Sequence, residues 1–242
     1  MKNIVVLADK LKSVPCGSVA NSLVTSMSTN QTLTQIYLML NSGLVFCCNN
    51  DINNFHIQCI FQLGDSVNLS WFDISYVIGT GALCCISHSG AIFEIKNDYL
   101  SSKKDGLGEE IGSIDGGICA AKWNPEQTCL VIATNNKTIL CMSCDWEVLQ
   151  EIPLASGGIG SFPSSISWKS DGEMFGISTM DIDDGLYKLR LFNKVFEYVA
   201  TARNVVDGPA STMKGVGGAC AFSTNGVYIA VAQQRVKGKN QA

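Results

Sequence analysis

Charge and histidine are scarce in this sequence of 242 residues. Only 16% of the residues are charged, compared with roughly 25% in average domains, whereas 46% are hydrophobic. This balance predicts a folded core and argues against disorder over most of the chain. The net charge is −4, so there is no overall basic field that would attract nucleic acid. Arg235, Lys237 and Lys239 form one small basic cluster, which we interpret as a solvated end of the chain.

Catalytic signatures are missing as well. The two histidines, His56 and His88, have no plausible Ser, Cys or carboxylate partner nearby in sequence, and His56 alternates with apolar residues as on a surface strand. Neither a G-x-S-x-G nucleophile elbow nor an H-E-x-x-H zinc motif occurs. We therefore expect a protein that is not an enzyme. We expect no catalytic, cofactor-binding or metal-binding residues, no cofactor and no small-molecule substrate.

Long apolar segments are absent too. The apolar run near the N-terminus, Ile4–Ala8, is shorter than the roughly 7–15 residues of a secretory signal, and we predict a short strand there. No segment approaches the roughly 18–20 residues of a membrane span, so no membrane partner is expected. We expect a cytoplasmic protein, with the nucleus as a further compartment, where thiols stay reduced. Six of the eleven cysteines lie in apolar runs and are predicted to be small core side chains: Cys47, Cys48, Cys84, Cys85, Cys129 and Cys141.

Three patterns resemble ligand sites only superficially. Gly106–Gly112 has the wrong glycine spacing for a phosphate loop and carries two carboxylates, so a loop between blades is favoured. Cys141 and Cys144 form a lone C-x-x-C without the further ligands of a zinc site, and we interpret them as one core and one turn cysteine. Met180–Gly185 lacks the Gly and Glu positions of a calcium loop and is better explained by a hairpin turn.

What the sequence does contain is a repeated hairpin signal. In Ser167–Thr179, Trp168 precedes a polar turn with Asp171-Gly172, and a second apolar segment follows. Asp-Gly between apolar segments favours a β-hairpin, because Gly adopts a positive φ without steric cost. The same pattern surrounds Trp123 and Phe222, which lie 45 and 54 residues from Trp168. Short strands that repeat at this interval are typical of β-propeller blades.

We therefore predict an all-β fold, an incomplete WD40-like β-propeller of about four to five blades with four antiparallel strands each. This partial propeller spans residues 1–242, with clear blades at about 70–154 and 165–200 and a partial one at 217–235. Residues 97–117 are expected to be a long connection, and 11–30 have no clear assignment. Strands are predicted at Gln35–Leu40, Leu44–Cys48, Phe55–Phe61, Ile74–Ile78, Ala82–Ile86, Ala91–Ile95, Ile118–Trp123, Cys129–Thr134, Thr138–Met142, Val148–Ile152, Tyr187–Phe192 and Val195–Ala200.

The order of these blade signatures resembles the N-terminal propeller region of the Elongator complex protein 1 family, also known as IKAP. The resemblance covers about residues 70–235, and residues 1–69 more weakly. Each motif alone is generic to WD40-like blades, whereas their order and intervals are specific. The stretches that carry the resemblance are Met1–Ile4, Ala82–Ile92, Ala120–Gln127, Ser167–Phe175, Lys188–Asn193 and Ala221–Ala230.

The resemblance implies a non-catalytic scaffold subunit that supports wobble-uridine modification of transfer RNA through protein–protein contacts. In this family, the chemistry belongs to a different subunit with radical-SAM and acetyltransferase domains. The implied partners are this catalytic subunit and a WD40 subunit of the Elongator complex, and transfer RNA is implied only as an indirect partner. The dimerisation region and a basic tRNA-contacting segment of the family lie in its C-terminal half.

Two departures from the family pattern lead us to expect a fragment. The family carries a further blade segment between the equivalents of Leu154 and Ser165, where this sequence has only a Gly/Ser linker. The family proteins are also several times longer. The alternative is an unrelated WD40-like adaptor in trafficking or ubiquitin ligation. A longer transcript that encodes a second propeller and helical repeats would favour Elongator over this alternative. A propeller hydrolase or lyase is less favoured, because such enzymes cluster His and carboxylates at the central channel.

Overall fold

The computed structural model describes residues 23–30, 32–49, 57–62, 71–96, 109–153, 165–180, 187–202 and 219–231. Every regular element within these ranges is a β-strand. The strands form four antiparallel sheets of four strands and one sheet of two, in which chain neighbours are also sheet neighbours. This is the meander of propeller blades, so the predicted fold class, an incomplete β-propeller, is confirmed.

The five sheets follow one another along the chain. Sheet 1 contains β1 (Val24–Thr29), β2 (Gln35–Leu40), β3 (Leu44–Asn49) and β4 (Ile57–Gln62). Sheet 2 contains β5 (Trp71–Val77), β6 (Ala82–Ser87), β7 (Ala91–Ile95) and β8 (Glu109–Ser113). Sheet 3 contains β9 (Ile118–Trp123), β10 (Cys129–Thr134), β11 (Thr138–Ser143) and β12 (Val148–Pro153). Sheet 4 contains β13 (Ser165–Trp168), β14 (Met174–Met180), β15 (Tyr187–Asn193) and β16 (Tyr198–Ala202), and sheet 5 contains β17 (Cys220–Phe222) and β18 (Ile229–Val231).

The repeated hairpin has the same register in three successive sheets. Trp123 pairs with Leu130, Trp168 with Phe175, and Phe222 with Ile229, so each aromatic residue faces the residue seven positions later. Thr29 and Ile36 of sheet 1 are paired at the same interval, although no aromatic residue marks that hairpin. The sequence repeat therefore corresponds to a structural repeat.

The turns of these four hairpins share one geometry. In sheet 4, the N–H of Gly172 donates to the carbonyl of Lys169, and the N–H of Lys169 donates to the carbonyl of Met174. The fourth residue of each turn has a positive φ, between 55° and 72°: Leu33, Gln127, Gly172 and Gly226. The turn geometry demands a left-handed residue, and glycine provides it without strain at only two of the four positions.

The second strands of sheets 2 and 3 are buried on both faces. In β6, Leu83 and Cys85 pack toward sheet 1, whereas Cys84 and Ile86 pack toward sheet 3. β10 repeats this arrangement, with Leu130 and Ile132 facing sheet 2 and Val131 and Ala133 facing sheet 4. Successive side chains point to opposite faces of a strand, so a strand between two neighbouring sheets must be apolar throughout. This explains the continuous apolar runs and the buried cysteines within them.

The first strand of a sheet lies closest to the neighbouring sheets, and the fourth lies at the periphery. β1 contacts β5, β9 contacts β13, and β13 contacts β17. By contrast, five of the six residues of β12 are exposed. This is the radial order of strands in a propeller blade.

The structure corrects four of the strand predictions. The expected connection 97–117 contains β8, so the glycine-rich segment ends in an outer strand that pairs with β7. β1 lies in the unassigned range 11–30. β5 extends the predicted strand Ile74–Ile78 back to Trp71. The strand expected at Val195–Ala200 begins at Tyr198, because Phe196 has a positive φ within a turn.

The outer strand β8 escaped prediction because it buries little. β8 has only one residue that is not exposed, Ile111, so its sequence shows no apolar alternation. The predicted strand Ile4–Ala8, His56, the Asp-rich segment 181–185, the linker 154–164 and the basic cluster at 235–239 lie outside the described residues.

Candidate interaction surface

One end of the sheets carries the turns between first and second strands and between third and fourth strands. Both kinds of turn lie at the same end because consecutive strands run antiparallel. We call this end of sheets 2–5 the turn face. It consists of residues 78–81, 124–128, 143–147, 169–173, 193–197 and 223–228.

Contacts between the turns of neighbouring sheets make the turn face continuous. The Oε1 atom of Gln127 in sheet 3 accepts a 2.7 Å hydrogen bond from the N–H of Ile78 in sheet 2. A Cβ atom at Gly172 would lie 3.8 Å from Pro125 of sheet 3, and one at Gly226 would lie 2.6 Å from Cε of Lys169. The turns of four sheets are therefore packed side by side.

The third-to-fourth strand turns of sheets 3 and 4 are built alike. Trp146 and Phe196 occupy equivalent positions in them with φ of 66° and 65°, and each turn is closed by a backbone hydrogen bond from the aromatic residue. The ring of Trp146 packs edge-on against Trp123 at 6.0 Å, and that of Phe196 lies 5.5 Å from Phe175. The strained backbone thus places an aromatic ring over the core of each sheet.

The turn face is acidic. It carries six carboxylates and two lysines, and both lysines form ion pairs on the same face. Lys169 donates to Asp171 at 2.6 Å, and this bond, with another from the backbone N–H of Glu173, lowers the pKa of Asp171. Lys194 donates to Glu173 at 2.7 Å, which raises the pKa of Lys194. Because these groups are exposed, the pairs organise the surface more than they stabilise the fold.

Apolar side chains are exposed among these charges. Ile78, Val195, Val227 and Tyr228 are exposed on the turn face. Val148 and Tyr198 extend the apolar surface, as the first residues of the outer strands β12 and β16. Large apolar groups that stay in contact with water, with charges around them, are typical of protein-binding surfaces.

The described residues do not bring a metal-binding cluster together. Within the described ranges, no three His, Cys, Asp or Glu side chains are grouped so that they could hold a metal ion. His88 is exposed in the turn between β6 and β7. The described part of the chain also contains no helix that is long and apolar enough to cross a membrane.

The C-x-x-C pattern places its two cysteines on different sides of sheet 3. Cys141 is buried on β11, on the same face as Ile139, which packs toward sheet 4. Cys144 lies in the turn and packs against the core between sheets 2 and 3. The interpretation as one core and one turn cysteine is confirmed.

Sequence reasoning missed the partner that Cys141 does have. The Sγ atoms of Cys129 and Cys141 lie 2.7 Å apart across the hairpin of β10 and β11. The two cysteines are twelve residues apart in sequence, which does not match a short C-x-x-C motif. Only the pairing of Val131 with Cys141 and of Cys129 with Ser143 reveals that they are diagonal neighbours on one face.

Comparison with known families gives a match over most of the chain. The family model described as ELP1 first N-terminal beta-propeller matches residues 1–164. The matched range includes sheets 1–3, and thus residues 1–69, where the motifs show the weaker resemblance. It ends just before the hairpin around Trp168.

Curated relatives point to the same family. Elongator complex protein 1 of Rattus norvegicus and that of Mus musculus are each 24% identical over an alignment of 165 residues that covers 52% of this chain. Elongator complex protein 1 of Schizosaccharomyces pombe is 29% identical over 86 residues, or 36% of this chain. The match spans only 12% of the length of the two mammalian proteins and 7% of the yeast protein.

Proposed function

This chain belongs to the family of the ELP1 first N-terminal β-propeller, and from this premise we propose that it is a non-catalytic scaffold of the Elongator complex. The name of the relatives, Elongator complex protein 1, supports a place in an assembly of several subunits. Membership of the family also removes the main alternative, an adaptor protein unrelated to it.

The turn face is the surface that we assign to partner binding. It combines exposed apolar side chains, such as Val195 and Tyr228, with a surrounding excess of carboxylates. Burial of the apolar groups would supply affinity, and the carboxylates would select a partner surface with basic residues around an apolar centre. This apolar group on a continuous, packed face is the observation that carries the assignment.

We propose that the chain supports wobble-uridine modification of transfer RNA without contacting the RNA itself. An acidic face whose two lysines are held in ion pairs would repel phosphate groups. The proposed partners are therefore other Elongator subunits, namely the catalytic radical-SAM and acetyltransferase subunit and the WD40 subunit. The proposed location is the cytoplasm, with the nucleus as a further compartment, which imaging of a tagged chain would test.

Co-purification tests this function. We expect the tagged chain to retain the catalytic Elongator subunit, and its absence under conditions that retain it on the full-length family protein would count against the proposal. Val195→Glu on the turn face should reduce retention. Val24→Glu is the matched control, because Val24 lies at the opposite end of its sheet and both valines are 55% exposed. Equal retention by the two variants would remove the turn face as the binding surface.

A further inference from the structure

Two cysteines of sheet 3 are close enough to react with each other. The Sγ atoms of Cys129 on β10 and Cys141 on β11 are separated by 2.7 Å, whereas a disulfide bond measures about 2.03–2.05 Å. The strands are held in register by their ladder, with Cys129 opposite Ser143 and Val131 opposite Cys141. A shift of well under about 1 Å in the two side chains would bring the sulfurs to bonding distance.

The surroundings give the two thiols different roles. Cys141 is buried, with 1% of its surface exposed, whereas Cys129 is only half-buried and lies at the edge of the core between sheets 3 and 4. Cys129 is therefore the thiol that a reagent in solution would reach first. Cys141 lies next to it, further inside the core. The hydrogen bond between the two thiols lowers the pKa of Cys129 and raises the pKa of Cys141.

We propose that Cys129 and Cys141 are a reversible disulfide site, which oxidises by exchange with small-molecule disulfides. The Cys129 thiolate attacks one sulfur of the small disulfide, whose S–S bond breaks and releases one thiolate. The sulfur of Cys141 then attacks the Cys129 sulfur, loses its proton to the solvent, and displaces the second small thiolate. Two protein thiols are thereby oxidised to one disulfide, and one small disulfide is reduced to two thiols.

The geometry selects this pair over the C-x-x-C pair. Cys144 packs on the side of sheet 3 that faces sheet 2, whereas Cys129 and Cys141 lie on the side that faces sheet 4. A bond between Cys141 and Cys144 would have to pass around the edge of the sheet. Adjacent cysteines such as Cys84 and Cys85 are also separated, because they point to opposite faces of their strand.

Peptide mapping of the full chain tests the proposal, with oxidised glutathione as the probe. After oxidation, remaining thiols are alkylated and the protein is digested with trypsin without reduction. Trypsin cleaves after Lys122, Lys137 and Lys169, which places Cys129 in peptide 123–137 and both Cys141 and Cys144 in peptide 138–169. We expect these two peptides to be linked, two hydrogens lighter than their sum, and to separate on addition of a reducing thiol.

Linkage of the two peptides excludes a bond between Cys141 and Cys144 without relying on any variant, whereas the variants distinguish Cys141 from Cys144 as the partner of Cys129. A bond inside peptide 138–169, a glutathione adduct on Cys129 that never resolves, or a link that forms only in urea would each overturn the proposal. A matched pair of variants sharpens the assignment. Cys144→Ser should keep the link between the peptides, whereas Cys141→Ser should lose it.

Discussion

The indole N–H of Trp168 in sheet 4 donates a 3.1 Å hydrogen bond to the backbone carbonyl of Lys122 in sheet 3. Lys122 precedes Trp123, which is the counterpart of Trp168 in the hairpin repeat. The aromatic residue that marks the end of one first strand thus ties its sheet to the end of the preceding first strand. The next junction uses side chains in a similar way, because Ser167 Oγ accepts a 3.0 Å hydrogen bond from the N–H of Phe222 in sheet 5.

Loss of the indole hydrogen bond should weaken the junction of sheets 3 and 4. We expect Trp168→Phe to lower the free energy of unfolding by about 1 kcal/mol more than Trp146→Phe does. Trp146 is a matched control, because it is also half-buried and its indole N–H has no protein acceptor within the described residues. Urea denaturation followed by circular dichroism measures both values, and equal losses would show that the bond contributes nothing.

Gly90 should not tolerate a side chain. It has a φ of 101°, and a Cβ atom there would lie 2.1 Å from the carbonyl oxygen of Ile114. We expect Gly90→Ala to lower the free energy of unfolding by roughly 2–4 kcal/mol, from backbone strain and steric overlap together. Gly112→Ala in the same sheet is the control, because no atom lies within 4 Å of its Cβ position, and it should change stability by less than about 0.5 kcal/mol. Thermal denaturation measures the stability of the two variants, and similar melting temperatures would contradict the expectation.

Lys137 should be replaceable by glycine with a gain in stability. It is exposed, and its φ of 65° lies in the left-handed region, which costs a non-glycine residue about 1–2 kcal/mol. Glycine removes this strain but increases the conformational entropy of the unfolded chain. Lys137→Gly should therefore raise the free energy of unfolding by about 0.5–1 kcal/mol. Lys122→Gly is the control, because it removes the same positive charge but from a residue on a strand. It should lower the free energy of unfolding by about 0.5–1 kcal/mol. Chemical denaturation measures the free energy of unfolding of both variants, and a decrease in both would refute the strain argument.

Cys47 should react with alkylating reagents only at high pH while the protein is folded. Burial, and to a smaller extent the neighbouring Cys48, raises the pKa of its thiol from 9.0 to about 11. The thiolate is the reactive form, so the rate should increase about tenfold per pH unit up to about pH 11. Exposed Cys59 is the internal control, and mass spectrometry of alkylated peptides measures both rates.

The same pKa shift has a consequence for stability. Between pH 9.0 and about 11 the unfolded thiol of Cys47 releases its proton while the folded thiol retains it. Stability contributed by the neutral thiol is therefore full below pH 9.0 and is lost as the pH rises toward about 11. Cys47→Ala should show a shallower decline of unfolding free energy over this range, and an unchanged slope would contradict the assignment.

Sequence reasoning was most successful where a strand is buried on both faces. The second strands, such as β6 and β10, are continuous apolar runs bounded by Gly or Asn turns, and their limits were predicted to within one residue. It failed at the outer strand β8, which buries one residue, and at β1, where Ser and Thr predominate and no residue is fully buried. A strand held mainly by its backbone hydrogen bonds to a neighbour carries little sequence signal.

The sequence by itself determined the hairpin repeat, the all-β class and the family, because these depend on local turn chemistry and on the order of motifs along the chain. The tertiary structure decided which face of a sheet each cysteine occupies and which turns of neighbouring sheets touch. It placed Cys129 beside Cys141, a contact that their separation of twelve residues does not indicate, and put Cys144 on the other side of the sheet. Register and the packing of one sheet on the next set these distances, and both arise from contacts between residues far apart in the chain.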